Sequence, residues 1–133
     1  MLTKTEKGEG RTPSVLTMRV ESLPLADAVQ HYLLEHIDRR VTIAELSERF
    51  EVSQTQLKLC FRNAYGKSVY SYVRQAKMEA AARLLLESNT SVLEIAGQVG
   101  YENASKFARA FGDVMGMTPT KFRKKYKKTN WQG

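Results

Sequence analysis

The 133-residue sequence predicts an all-α fold, a seven-helix domain in which two helix-turn-helix subdomains are joined by a long connector helix. Three observations predict it. Apolar residues recur at the helical i, i+3, i+4, i+7 spacing from Leu25 onward. Three of the periodic segments open on Ser or Thr followed three residues later by Glu or Gln, the capping-box pattern. Two segments also superpose: Leu46 matches Ile95 at an offset of 49, while Leu57, Phe61, Gly66 and Tyr72 match Phe107, Phe111, Gly116 and Phe122 at 50. One inserted residue in the second turn accounts for the slip, so a helix, tight turn and helix unit occurs twice.

Residues 1–22 are polar, contain Gly8, Gly10 and Pro13 and lack a sustained period, which reads as a flexible tail or linker. The domain spans 23–128, with a first subdomain at about 25–66, the connector at about 68–87, a second subdomain at about 91–126 and a short tail at 129–133. The first helix starts at Leu25, and Val29, Tyr32, Leu33 and Ile37 form its stripe. "TIAE" opens the second, with Thr42 accepting a first-turn N–H and Glu45 reaching back; Ile43, Leu46, Ser47 and Phe50 face inward. "SQTQ" opens the third, whose apolar face is Leu57, Cys60, Phe61 and Ala64 and which Gly66 ends.

The connector carries two displaced apolar sets, Val69, Tyr72, Val73 and Ala76, then Ala81, Leu84 and Leu85, as expected of a helix with different neighbours at its two ends. "SVLE" opens the fifth helix, where Val92, Ile95, Ala96 and Val99 repeat the spacing of the second. Gly100 supplies a turn that tolerates positive φ. Asn103 caps the sixth helix, with Phe107, Ala110, Phe111 and Val114 inward and Gly116 closing it. Thr118 caps a seventh, with Pro119 at the first helical position.

The net charge is +7 and the pI about 9.6, a balance that favours a polyanionic partner. One cysteine, Cys60, permits no internal disulfide. No apolar run approaches the roughly 18 residues of a bilayer span, so a cytoplasmic protein is expected. His31 and His36 are five apart and share no face; there is no ligand cluster, phosphate-cradling loop or nucleophile with a base. No metal, cofactor or enzymatic activity is therefore expected.

The outward faces of the third and sixth helices carry the functional reading. At about 100° per residue the face opposite the core holds Thr55, Lys58, Leu59 and Arg62 in the third helix and Ser105, Ala108, Arg109 and Gly112 in the sixth. From Val52 to Met78 the charges are Lys58, Arg62, Lys67, Arg74 and Lys77 with no acid, and from Asn103 onward eight Lys and Arg residues stand against Asp113 alone. Such segregation suits phosphate binding, since a solvated face ordinarily mixes both signs. A connector of about 20 residues is roughly 30 Å long, close to the roughly 34 Å between successive major-groove faces of B-DNA. Bending of the DNA toward the protein would meet the shortfall.

The stretch "SVLEIAGQVGYENASKFARAFGDVMGMTPTKFRKKY", with Ile95-Ala96, Gly100-Tyr101, Phe107, Phe111, Gly116, Pro119 and Arg123, resembles the signature of the AraC/XylS family of bacterial transcription regulators, and "KMEAAARLLLES" fits its connector. The resemblance covers residues from about 25 to 126 and implies a sequence-specific double-stranded-DNA-binding regulator, an activator that also touches RNA polymerase. It implies base contacts from Thr55, Lys58 and Leu59 in the first unit and from Ala104, Ser105 and Arg109 in the second, nearly the set found on the outward faces. Arg109 is the candidate for a bidentate guanine contact, followed by Lys58. Arg62, Lys67, Lys106, Arg123 and Lys124 are the candidate phosphate contacts. Leu59 departs from the polar or basic residue often found there, which points either to weak base reading by the first helix or to a thymine methyl; Ser47 replaces the usual alanine. The isolated domain is expected to be monomeric.

Two rival classes are a helical protein-binding adaptor and a basic membrane-surface protein. The first explains the repeat but not the segregated charge. The second could use the tail "KKYKKTNWQG", which lacks an amphipathic helix with a large apolar face.

Overall fold

The computed structural model describes residues 24–127. They form seven helices and no strand: α1 (Leu25–Glu35), α2 (Ile43–Phe50), α3 (Gln54–Tyr65), α4 (Val69–Glu87), α5 (Val92–Gln98), α6 (Ala104–Met115) and α7 (Pro119–Tyr126). The tails read at 1–22 and 129–133 lie outside the described residues. No helix among those described is long and apolar enough to cross a membrane.

Helix starts follow local chemistry. Thr42, Ser53, Ser68, Ser91, Asn103 and Thr118 each accept a hydrogen bond from the backbone N–H three residues on, worth about 1 kcal/mol apiece. The reciprocal arm of the box at Thr42 is the weaker part of what Glu45 does: its carboxylate accepts most closely from Arg39 Nη2 and the Tyr32 hydroxyl, each at 2.6 Å. A guanidinium offers a carboxylate a stronger bond than a neutral amide does. Glu94 likewise stays with the Ser91 hydroxyl, at 3.3 Å.

Two separate cores form. Val29, Leu33, Leu46, Leu57, Phe61 and Val69 close the first; Met78, Ala81, Leu85, Ile95, Phe107, Phe111 and Phe122 are central to the second. Helix α4 is the element common to both, which explains its two displaced apolar sets. Truncating a buried phenylalanine such as Phe61 or Phe111 removes about 3–5 kcal/mol of packing. Some inward assignments were too broad. Ile37 lies beyond the end of α1, Cys60 is half-buried and Ala64 is exposed. Helices α1, α2 and α4 close over the Leu57–Phe61 line and leave that flank of α3 open.

The two turns share one geometry. Glu51 (φ 57°) and Gly100 (φ 84°) both adopt the left-handed conformation at the 49-residue offset. Val52 N–H donates to Ser47 O at 3.1 Å, and Tyr101 N–H to Ala96 O at 2.8 Å. The following caps, Ser53 and Asn103, are 50 apart, which puts the inserted residue between Gly100 and Asn103. The Ser47 hydroxyl also donates to Val52 O, a brace the alanine of the second unit cannot supply.

At the seam between the subdomains sits Lys77, 8% exposed and the only buried charged side chain among the described residues. Its ammonium donates to Ile37 O at 2.6 Å, Arg39 O at 3.0 Å and Val99 O at 3.0 Å. Burial pulls its pKa below the ordinary lysine value, and the Asp38 carboxylate pulls the other way.

Glu51→Gly relieves a left-handed glutamate at the cost of backbone entropy, and urea unfolding should show a gain of about 0.5 kcal/mol. Arg39 and Tyr32 hold the Glu45 carboxyl at about 2, below its ordinary 4.5. The stabilisation is thus complete above about pH 4.5 and lost as pH falls toward 2. The urea midpoint should fall through that window in the parent protein and fall less in Glu45→Gln.

Candidate nucleic-acid interface

Helix α3 is held by Leu57 and Phe61, both fully buried, so its opposite side faces solvent. Thr55, Lys58, Leu59 and Arg62 are all exposed there, with Leu59 at 58%. Leu59 and Thr55 border a shallow concavity of about 690 Å³ together with Cys60, Asn63 and Ala64. A surface of methyl, methylene and thiol groups, rimmed by the hydroxyls of Ser53 and Thr55 and the amides of Gln56 and Asn63, fits a base edge that carries a methyl group.

Helix α6 is held in the same way by Phe107, Ala110 and Phe111, leaving Ala104, Ser105, Lys106 and Arg109 exposed. Ala108 and Gly112, placed outward by the sequence, are half-buried. Ser105, Lys106 and Arg109 line a cleft of about 410 Å³ whose other wall is Tyr70 and Arg74 of α4, with Tyr101 between. Arg74 Nη2 bonds Asp113 Oδ2 at 2.9 Å, so the one acid at the flank of this face is already neutralised. That bond raises the Arg74 pKa further, and burial raises that of the Tyr101 phenol.

Tyr70, 72% exposed, and Arg74 were missed as candidates. Their i, i+4 spacing on the side of the connector away from its first apolar set is the sequence signal that could have found them.

Two predicted phosphate contacts lie elsewhere. Arg123 donates from Nε to Leu85 O at 2.9 Å and from Nη2 to Ser88 O at 3.1 Å and Thr90 O at 2.7 Å. It closes the C-terminus of α4, where four carbonyls lack helical partners. Lys127 adds bonds to Ser88 O and Asn89 Oδ1, both 2.6 Å. Lys67 borders a groove between α1 and α4, with Leu34, Ile37, Gln75 and Glu79, not either recognition cleft. Arg62, Lys106 and Lys124 remain exposed. No cluster of three metal-ligating side chains occurs among the described residues.

A family model described as a helix-turn-helix domain matches residues 46–125. The chain belongs to the AraC-type helix-turn-helix family. A putative AraC-like transcription regulator of Streptomyces lividans is 36% identical over 86 residues, covering 65% of this chain and 28% of that protein. The C-terminal domain of AraT, a response regulator from Geobacillus stearothermophilus, superposes with a TM-score of 0.80 at 27% identity, covering 84% of this chain and 93% of that one. The DNA-binding domain of AdpA, a global transcriptional factor solved in complex with a target DNA, gives 0.72 at 28% identity, covering 77% and 92%. The chain spans between 19% and 42% of the length of the curated relatives it matches. For this AraC-type domain, Arg123→Ala should lower stability by about 2 kcal/mol in urea unfolding, since Leu85 O and Thr90 O lose the guanidinium while Ser88 O keeps only Lys127, whereas Lys124→Ala should stay within about 0.5 kcal/mol.

Proposed function

We propose that this domain is the sequence-specific, double-stranded-DNA-binding part of a transcription activator, and that α3 and α6 enter successive major-groove segments. The observation that carries the reading is the pair of matched recognition helices. Each is anchored by two buried large side chains and turns an exposed face without an unpaired carboxylate to solvent. The 19-residue connector is roughly 28 Å long, so DNA curved slightly toward the protein brings both grooves within reach. AdpA, a structural neighbour, was solved on its target DNA.

Arg109 pairs with a guanine, its fork matching the O6 and N7 acceptors, and Lys58 reads a second acceptor. Leu59 packs on a thymine methyl, with Thr55, Ala104 and Ser105 completing the base-facing set. Arg62, Lys106 and Lys124 hold phosphates, and Lys67 reaches one only at the margin. Counterion release then drives binding and makes it salt-dependent. The domain acts as a monomer in the cytoplasm, and as part of an activator it also touches RNA polymerase.

Arg109→Ala should cost about 1–3 kcal/mol on the selected site and relax one base position, read by selection from a random duplex pool. Lys124→Ala should weaken all duplexes alike and reduce the slope of log K against log salt by about one. An unaltered preference profile in Arg109→Ala rules out the proposed orientation of α6.

A further inference from the structure

Helices of the first subdomain pack on one another and on α4, and those of the second do the same, with no extensive helix packing across. The angle between α3 and α6 therefore depends on the connector and on whatever ties the two sets of loops together. The tie lies at the middle of α4. Gly100 brings the α5–α6 turn against the α1–α2 loop so closely that a Cβ there would stand 3.2 Å from Arg39 N and 3.2 Å from the Asp38 carbonyl carbon. The Lys77 ammonium fills the same junction. It has three N–H donors, and all three are used: two on carbonyls of the loop that leads into α2, one on the carbonyl of the turn that leads into α6.

We infer that Lys77 is a positioning residue that sets the spacing of the two DNA half-sites, because its ammonium fixes the loop before α2 and the turn before α6 to one point on the connector. The inference rests on the DNA-binding reading above. A buried ammonium costs desolvation, and an apolar side chain of similar length would fill the same space without that cost. What only the ammonium provides is a tetrahedral set of directed bonds, which holds three backbone segments at fixed distances and angles. The rigid seam then makes the separation of α3 and α6 a single value, so DNA with a longer or shorter spacer must deform to fit both.

The test separates geometry from DNA binding. In a Cys60→Ser background, spin labels at Asn63→Cys on α3 and Lys106→Cys on α6 report the interhelix distance by pulsed electron resonance without DNA. Lys77→Met should broaden a narrow distribution. In label-free protein, selection from duplexes with variable spacers should recover one spacing for the parent chain. For Lys77→Met that preference should drop about tenfold, with base preferences inside each half-site unchanged. Lys77→Gln, which keeps a polar donor but cannot bond three carbonyls, is the second variant if Lys77→Met does not fold. An unchanged distance distribution in a folded variant overturns the inference, as does a broadened one with unchanged spacer preference. If the parent chain selects no duplex at all, the DNA-binding reading fails, and the spacing role with it, while the distance measurement still shows whether Lys77 orders the seam.

Discussion

One helix has to satisfy two hydrophobic cores, because neither set of three helices closes over its own apolar side chains. Helix α4 contributes Val69 to the first core and Met78, Ala81 and Leu85 to the second, so its two ends are buried on different sides. A continuous hydrogen-bonded rod is stiff over this length, and it transmits the orientation of one core to the other. At its midpoint the apolar pattern changes sides, and that is where Lys77 ties the flanking loops together. Burial of hydrocarbon stabilises each half; directed bonds from one ammonium orient the halves.

The two repeated units solve the same turn with different chemistry. Gly100 takes a positive φ at little cost and leaves room for the Lys77 ammonium and the neighbouring loop. Glu51 takes it with a strained L residue, and the Ser47 hydroxyl braces that turn through Val52 O. The second turn faces the crowded seam, whereas Glu51 is exposed, so only the second demands the absence of a Cβ. The helices that follow differ in the same spirit. Helix α3 offers a methyl-rich concavity around Leu59, while α6 offers a cationic cleft beside Tyr70 and Arg74.

Net positive charge is not all available for binding. Arg74 is spent on Asp113, Lys77 on three carbonyls, and Arg123 and Lys127 on the C-terminus of α4. Lys77, Arg123 and Lys127 are structural for a common reason: helix ends and tight loops expose carbonyls, and Lys and Arg are donors with no acceptor of their own. What remains on the faces of α3 and α6 is a smaller, better focused set: Lys58, Arg62, Lys106 and Arg109. Focused charge on two ridges favours a grooved polyanion over a diffuse one.

From residue order alone came the seven helices, the caps of five of them, the repeat with its one inserted residue, and the outward sets Thr55, Lys58, Leu59, Ser105 and Arg109. All of these depend on local spacing: hydroxyl capping acts over three residues, and a helix turns by a fixed angle, so a chain read in order carries the information. The fates of individual long side chains did not come from it. Arg123 and Lys124 are neighbours with the same charge, yet one reaches back to carbonyls 33 to 38 residues away and the other stays in solvent. Glu45 turned mainly to Arg39 and Tyr32 for the same reason. A flexible side chain takes the strongest partner within its reach, and which partners lie within reach is decided only when the helices pack.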